Sequence, residues 1–333
     1  MFFSIIIPVF NRPEEIRELL ESLCLQDFTE NFEVVVVEDG STILCQDEVA
    51  LFNEALDISY YYKQNSGPGD SRNFGMTLAK GDYFIIFDSD CIVPPHYLKG
   101  VSEALTNKFV DCYGGSDAAL ESFSDIQKAI NFVMTSFWTT GGVRGGSEKI
   151  TKFQPRSFNM GLSKTAFQKS NGFGNIHPGE DPDLSMRLWN LGFETQLLPN
   201  AFVFHKRRID WHKFYVQVNK FGKVRPILNS WFPKYTKITF FMPSLFILGL
   251  LAAIFLLFME FIIPILLYGI YFALIFVISG YQNKSLKIGL YSIFATGIQF
   301  YGYGTGFLES FIKVQILKKD PEHTFPALFF KTL

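Results

Sequence analysis

The sequence predicts an α/β fold, with a mostly parallel sheet that carries helices on both faces, followed by a C-terminal transmembrane helical region. Two observations lead to this prediction. Over the first hundred residues, apolar runs of strand length alternate with helical patterns, and such alternation is typical of a parallel sheet. From residue 238 onward, long uncharged runs of bilayer-spanning length replace this alternation.

The predicted sheet begins with Phe3–Val9, a run rich in β-branched residues. The sequence Asn11-Arg12-Pro13 then predicts a capped helix start with an early proline, and apolar residues recur after it with helical spacing. Further strands are predicted at residues 32–37, 58–62 and 83–87, with a second helix over residues 69–79. These elements give the alternating order of a parallel sheet covered on both faces.

The region from about residue 110 to 205 is less regular, with strand-like segments at residues 157–162 and 201–204 and a helix that ends near residue 191. The glycine-rich stretch 139–146 fits a lid over a site and a long surface turn equally well. It lacks the Gly-Lys-Ser/Thr ending of a phosphate-binding P-loop. The predicted domains are residues 1–204, a juxtamembrane segment 205–237, transmembrane helices 238–312 and a tail 313–333.

Two transmembrane helices are predicted at residues 238–259 and 261–281, which carry no charge and are separated by Glu260. A third span is predicted at residues 288–308, where glycine and tyrosine interrupt the apolar run; a re-entrant or interfacial segment is the alternative. Lys284 and Lys287 favour a cytoplasmic N-terminal domain, although the tail lysines do not if the third segment crosses fully. We therefore predict a multi-pass protein of the inner (cytoplasmic) membrane, with its catalytic domain in the cytoplasm.

Local composition also indicates which partners and which compartment to expect. Residues 205–237 are basic and interleaved with aromatics, and next to a membrane segment this pattern favours membrane lipid over nucleic acid. The four cysteines have no zinc-site spacing, and reduced thiols are expected. The N-terminal apolar run has no basic region before it and no cleavage site, so no secretion signal is predicted.

Polar residues follow three of the predicted strands. Asn11, Asp39 and the Asp88-Ser89-Asp90 sequence stand at strand ends, and in parallel sheets ligands bind beyond the carboxyl ends of the strands. Two carboxylates at one strand end suit Mg²⁺ or Mn²⁺, which take oxygen ligands and share them with substrate phosphates. The sequence therefore predicts a divalent-metal site at this edge.

Five motifs in order resemble the family 2 nucleotide-sugar glycosyltransferases. They are Ser4-Ile5-Ile6-Ile7-Pro8-Val9-Phe10-Asn11, Val37-Glu38-Asp39-Gly40-Ser41, Ser71-Arg72-Asn73-Phe74-Gly75, Asp88-Ser89-Asp90 and Gly179-Glu180-Asp181. The resemblance covers about residues 3–225. It implies the GT-A (Rossmann-like) fold and an inverting, metal-assisted transfer of a sugar from a nucleoside diphosphate to an acceptor hydroxyl.

The resemblance also implies roles for the matched residues. The donor nucleotide would be bound by Pro8, Val9, Phe10, Asn11, Asp39, Arg72 and Asp88. Asp90 would bind the metal, and His205 is either a further metal ligand or a structural histidine. Two positions depart from the family pattern: Glu38 replaces an aspartate, and Cys91 stands where a further acid is frequent.

On the acceptor side, Asp181 matches the general base of the family, which takes the proton of the attacking hydroxyl. The structural alternative is that Glu180 and Asp181 only cap the following helix. Asp183 is a weaker candidate for the base, because the family places it in the Glu-Asp pair. Asn159 and Glu180 match positions near the acceptor.

Three functions fit the sequence. The first is a glycosyltransferase acting on a membrane-associated glycan or lipid-linked acceptor in cell-surface polysaccharide synthesis. The second has the same chemistry with polyprenyl phosphate as the acceptor. The third is a catalytically silent membrane protein that binds nucleotide, against which the presence of Asp39, Asp90 and Asp181 argues. A nucleotidyltransferase is excluded because the chain lacks its N-terminal glycine-rich signature.

Overall fold

The computed structural model describes residues 1–118, 123–141, 152–205 and 210–330. These residues form two compact units, each discontinuous in sequence. The sheet unit takes the described residues of 1–120, 146–206 and 329–333, and the helical unit takes those of 121–145 and 207–328. The helical unit therefore includes part of the predicted first domain, and the sheet unit includes the end of the tail.

The bounds of the elements are as follows, in chain order. The strands are β1 (Phe3–Val9), β2 (Phe32–Asp39), β3 (Asp57–Lys63), β4 (Tyr83–Phe87), β5 (Cys91–Ile92), β6 (Cys112–Ala118), β7 (Asn159–Ser163) and β8 (Thr195–His205). The helices are α1 (Pro13–Cys24), α2 (Gln46–Ala50), α3 (Pro68–Leu78), α4 (Tyr97–Asn107), α5 (Asp125–Thr135), α6 (Phe137–Thr140), α7 (Lys164–Ser170), α8 (Glu180–Asn190), α9 (Trp211–Trp231), α10 (Met242–Phe258), α11 (Ile263–Gln282), α12 (Leu286–Ser310) and α13 (Pro321–Thr324).

The sheet has the order β3-β2-β1-β4-β7-β6-β8-β5, and its first four strands are parallel. β7 runs antiparallel between β4 and β6, β8 is parallel to β6, and β5 closes the edge antiparallel to β8. The predicted α/β fold with a mostly parallel sheet is confirmed. Because β2 and β4 lie on opposite sides of β1, the ends of β1 and β4 form a switch point, where open α/β sheets bind ligands.

Both faces of the sheet are covered, which explains why the central strands are apolar throughout. Alternate residues of β1 belong to different cores, as the two-residue period of a strand requires. Ile5 packs with α1 and α4 on one face, whereas Ile6 packs with α3 and α8 on the other. The predicted helices on both faces are confirmed.

The predicted side-chain cap of the first helix is wrong. Arg12 occupies the N-cap position of α1 and makes no capping hydrogen bond, although Pro13 does start the helix. The Asn11 side chain instead accepts hydrogen bonds from the backbone of Thr42 and Ile43, at 2.8 and 3.0 Å. The Asn11 side chain thus binds a loop that is distant in sequence instead of capping α1.

In the helical unit, α9 lies against α12. Glycines allow this close approach: a Cβ atom on Gly222 would lie 2.2 Å from the Tyr303 carbonyl oxygen, and one on Gly306 would lie 2.4 Å from that of Asn219. Asn219 Nδ2 also donates to the Gly302 carbonyl at 3.0 Å. Small residues and polar side chains of this kind join helices where the surroundings are apolar.

Two helical segments of the described residues, Ile238–Phe258 and Ile263–Gln282, are long and apolar enough to cross a membrane. They correspond to the first two predicted spans. The third predicted span forms the continuous helix α12, which is not one of the two. Its buried residues include Ser292, Thr296, Ser310 and several glycines. Some of its uncharged residues are therefore explained by packing within the helical unit.

Candidate functional site

Asn11 joins the loops that follow β1 and β2. Its backbone has φ 54°, and its N–H donates to Ser41 Oγ at 2.7 Å while its side chain binds the next two residues of that loop. The buried carboxylate of Glu38 holds the same loop, accepting from Ser41 Oγ and from the Cys45 N–H. Phe10 remains about half exposed at the end of β1. The predicted nucleotide-binding segment therefore has a fixed backbone with one free aromatic ring.

Asp39 organises the loop after β3. Its carboxylate accepts hydrogen bonds from the backbone N–H groups of Ser66 and Gly67, both at 3.0 Å, and pairs with Lys63 at 3.0 Å. Lys63 also pairs with Asp70 on α3 at 2.9 Å. The charged group at the end of β2 thus sets the path of the chain into α3.

The two predicted carboxylates after β4 each contact an arginine. Asp90 forms an ion pair with Arg12, which follows β1. Asp88 accepts a hydrogen bond of 2.8 Å from Arg72 on α3. Both pairs lie at the β1–β4 switch point, so the structure brings the ends of these strands and the start of α3 to one edge of the sheet.

Arg72 bridges the end of β4 and the start of α8. Besides Asp88, it contacts Glu180 Oε1 at 3.4 Å, and its guanidinium lies 5.3 Å from the centre of the Phe173 ring. The residue is 3% exposed. Burial opposes its charge, but Asp88, Glu180 and Asp181 outweigh that effect and raise its pKa, so it remains a cation.

Glu180 and Asp181 are neighbours in the first turn of α8, and their pKa values are shifted in opposite directions. Burial acts to raise the pKa of Glu180, but a hydrogen bond and charge from His177, together with Arg72, lower it overall. His177 Nδ1 lies 2.9 Å from Glu180 Oε1. For Asp181, burial and then the charge of Glu180 raise the pKa, against Arg72 and Ser157. One carboxylate is therefore held ionised and its neighbour is inclined to hold a proton.

Asp181 also has an unused polar atom. Its Oδ1 is buried and has no hydrogen-bond partner among the described residues. Gly179 occupies the N-cap position of α8, so this helix start has no side-chain capping hydrogen bond. Such an atom is costly to leave without a partner unless a ligand or water satisfies it. This arrangement suits a group that receives a proton from substrate.

Two other predicted acceptor-side groups have structural partners. Asp183 is 6% exposed and pairs with Arg187 at 2.7 Å. Asn159 is fully buried, where its Oδ1 accepts from the Tyr97 hydroxyl and its Nδ2 donates to the Ala201 carbonyl at 2.8 Å. Among the described residues, Glu180 and Asp183 of the α8 turn form ion pairs with arginines, whereas Asp181 forms none.

The His205 side chain lies outside the described residues, as do residues 142–151 and 206–209, which contain most of the glycine-rich stretch and part of the basic segment. The backbone register is described: residue 205 pairs with Cys91, directly after Asp90. In the described parts of the chain, no group of three or more His, Cys, Asp or Glu side chains is arranged to hold a metal ion. Asp88 and Asp90 do fit a cation that takes its remaining ligands from water and substrate phosphates.

Sequence reasoning missed Arg12, Lys63 and His177, each of which pairs with a predicted acid. Arg12 and Lys63 stand at or just after strand ends, and this position is a signal that could have identified them. His177 precedes the Glu-Asp pair by three residues, as a helix-start partner would. In the site, Asp39, Asp88, Asp90 and Glu180 are therefore each paired with a basic side chain.

The sequence of the chain is similar to known glycosyltransferases. Residues 4–169 match glycosyl transferase family 2. The chain is 35% identical over 127 residues to an uncharacterized glycosyltransferase of Rickettsia felis, covering 37% of this chain and 21% of that protein. It is 38% identical over 102 residues to the poly(ribitol-phosphate) beta-N-acetylglucosaminyltransferase TarS of Staphylococcus aureus, covering 30% of this chain and 18% of TarS. The matched stretches thus span about a fifth of these relatives' lengths.

Two solved structures share the fold over nearly the whole chain. S. aureus TarS 1–349 in complex with UDP has a TM-score of 0.50 at 18% identity, covering 96% of this chain and 92% of that one. The mannosyltransferase PcManGT from Pyrobaculum calidifontis, in complex with GDP-Man and Mn²⁺, has a TM-score of 0.57 at 15% identity, covering 96% and 88%. At these identities the likeness shows the GT-A-like fold. The match over residues 4–169, made in sequence and independently of these structures, identifies a glycosyl transferase family 2 domain in this chain.

Proposed function

We propose that this protein is an inverting, metal-dependent glycosyltransferase that moves a sugar from a nucleoside-diphosphate sugar to a membrane-associated glycan or lipid-linked acceptor in cell-surface polysaccharide synthesis. The observation that carries the proposal is the Arg72 bridge. It joins a carboxylate at the end of β4 to one at the start of α8, beside Asp181. The residues expected for donor binding and for base catalysis thus converge in the sheet unit.

On the donor side, the nucleotide lies at the β1–β4 switch point. The base contacts the Pro8-Val9-Phe10 segment and the loop that Asp39 holds, with Asn11 fixing the intervening backbone. Asp88 binds the ribose, and Arg72 donates charge-assisted hydrogen bonds to the diphosphate. Relatives of this fold are described in complex with UDP and with GDP-Man and Mn²⁺, which supports a nucleotide-sugar donor.

The metal would be held by Asp90, with His205 as a candidate further ligand. When bound, Mg²⁺ or Mn²⁺ offsets the negative charge that grows on the departing diphosphate. Arg12 contacts Asp90 and Arg72 contacts Asp88, so these two arginines hold the carboxylates at the strand ends.

On the acceptor side, Asp181 takes the proton from the attacking hydroxyl. Its buried Oδ1 has no hydrogen-bond partner in the part of the chain that the structure describes, and Glu180 is engaged by Arg72 and His177. The hydroxyl oxygen attacks the anomeric carbon on the face opposite the diphosphate, so the configuration inverts. As in glycoside hydrolysis, the transition state has oxocarbenium character.

The acceptor belongs to the membrane surface. The same chain carries two helices that are long and apolar enough to cross a bilayer. The helix α9 before them contributes lysines and aromatic residues of the kind that bind anionic lipid interfaces. These features also favour a second candidate, in which polyprenyl phosphate itself is the acceptor. TarS, a relative over part of the chain, is named for a polymeric acceptor, which favours the first.

Sugar incorporation tests the proposal directly. The full chain in membranes is incubated with a panel of radiolabelled UDP-, GDP- and dTDP-sugars, with Mn²⁺ or Mg²⁺, and with EDTA as the metal-free arm. We expect one donor to label polymeric or lipid-extractable material in a metal-dependent manner. Label in an acid-labile monosaccharide lipid identifies polyprenyl phosphate as the acceptor. Donor binding without labelling, for every donor, would favour the catalytically silent nucleotide-binding protein, and absence of both would favour a scaffold.

Activity should fall on the acid side because Asp181 must be ionised to act as a base. Its pKa is raised by burial and by Glu180, so protonation begins at a higher pH than for an ordinary aspartate at about 3.9. We expect kcat/KM to decline with a midpoint well above that value. Thermal unfolding measured at each pH separates this titration from acid denaturation. A profile that stays flat down to the ordinary value would contradict the assignment.

A further inference from the structure

The last described residues of the chain lie in the sheet unit, next to the candidate site. Phe329 forms an antiparallel bridge with Ile176, and the Phe330 N–H donates to the Asn175 carbonyl at 2.9 Å. The C-terminal segment thus adds a short pair to the chain that leads into α8. No motif in the sequence points to this contact, because the two segments are about 150 residues apart.

The Phe330 ring rests on the loop that Asp39 organises. A Cβ atom on Gly67 would lie 2.3 Å from this ring, so the ring covers the glycine backbone directly. Gly67 has φ +93°, a conformation that favours glycine, and its N–H is bound by Asp39 at 3.0 Å. Gly67 therefore provides both the surface on which the Phe330 ring packs and the N–H group that binds Asp39.

The same ring lies beside the residues that engage Glu180. Its centre is 5.8 Å from that of the His177 ring, and His177 contacts Glu180. Phe330 also lines a cavity of about 60 Å³ together with Ser66, Asp70 and Asn73. This volume admits a few waters or a small polar group and is too small for a nucleotide. The ring therefore forms part of the wall of this cavity.

We infer that Phe330 is a positioning residue for the donor: it holds the Ser66–Gly67 backbone against Asp39 and the 175–177 segment against α3. The inference rests on the proposed function. It assigns the C-terminal segment to donor binding and not to the chemical step, because Phe330 contacts the Asp39 loop and His177 and is not in contact with Asp181 in the described contacts. Loss of the ring should weaken donor binding while the base remains in place.

The test compares full-length wild type with Phe330→Ala, Phe330→Tyr and the control Phe109→Ala, all in detergent. Phe109 is a half-exposed aromatic of the same unit that packs on Tyr83, away from the site. For Phe330→Ala we expect the donor KM and Kd to rise roughly tenfold with kcat within about twofold, the pattern of lost ground-state binding. Phe330→Tyr should restore most of the affinity, and Phe109→Ala should match wild type.

Amide hydrogen exchange provides a readout that does not require catalysis. We expect the Ser66 and Gly67 amides to exchange faster in Phe330→Ala than in wild type and Phe109→Ala. Unchanged exchange, or a fall in kcat with an unchanged donor KM, would overturn the inference even if the transferase is confirmed. If Phe330→Ala does not fold, Phe330→Leu takes its place, because leucine keeps an apolar side chain but removes the ring. A raised donor Kd and faster Ser66 and Gly67 exchange in Phe330→Leu support the inference, and wild-type values for both overturn it. If wild type binds no donor but exchange responds, the proposed function fails and the positioning contact stands.

Discussion

Replacing Asp181 by asparagine is expected to lower kcat for sugar transfer by roughly 10²–10⁴-fold, the range for loss of a general base. Asparagine keeps the size and shape of the side chain but cannot accept the acceptor proton. Donor binding should persist, because the residues proposed to bind the nucleotide lie at the strand ends and on α3. The measurement is single-turnover transfer from the identified donor, with donor Kd determined separately by calorimetry.

The same substitution should not destabilise the protein at neutral pH. The pKa of Asp181 is raised in the folded state, so the native protein binds a proton that the unfolded chain releases between the two pKa values. Folded stability therefore decreases as pH rises through this window, and the ionised group is a net cost above it. The neutral amide of Asp181→Asn removes that cost. A residue that only stabilised the start of α8 would behave oppositely, because losing an acid there weakens the helix.

Asp183→Asn is the matched control, two residues along the same helix. Asp183 pairs with Arg187 at 2.7 Å and is buried, so its loss should destabilise the protein by about 1–3 kcal/mol, as expected for a buried group left without its partner. Its kcat, measured below the unfolding temperature, should remain close to wild type. Loss of transfer in Asp183→Asn with activity retained in Asp181→Asn would reverse the assignment of the base.

The strands that were predicted are those whose own residues require burial. β1 and β4 lie at the predicted residues because their apolar runs fit only the centre of a two-faced sheet. β6 was not predicted: its Gly114 and Gly115 have low strand propensity. That strand exists because β7 and β8 pair with it on both sides. Pairing with neighbouring strands therefore determines β6, which the local sequence pattern did not indicate.

The acids of the site were predictable because parallel strands bring their carboxyl ends to one edge. Their partners were not, since a side chain's partner depends on which loops meet. Arg12 reaches Asp90 only because β1 and β4 are neighbours, and Asn11 bonds to the 42–43 backbone instead of capping α1. The C-terminal Phe330 contact joins segments about 150 residues apart in the sequence and has no local signal.

Replacing Arg72 by methionine is expected to destabilise the protein and weaken donor binding together. Methionine fills much of the same space without charge, so Asp88 and Glu180 lose a shared cation. Breaking a buried ion pair costs about 3–5 kcal/mol, and we expect the lower end because Asp88 is one-third exposed. Arg72→Lys should recover only part of the stability and donor binding, because one ammonium group cannot reproduce the planar guanidinium that contacts two carboxylates. Thermal unfolding in detergent and nucleotide calorimetry measure the two effects.

Arg17→Met is the control, since Arg17 is half-exposed and pairs with Glu21 and Glu48 on the surface. Exposed pairs of this kind contribute about 0–1 kcal/mol, so this variant should unfold close to wild type and bind nucleotide normally. Equal unfolding of Arg72→Met and Arg17→Met would mean that the bridge does not form in solution. In that case no fixed contact would join Asp88 to Glu180 beside Asp181, and the observation that carries the proposed function would be lost.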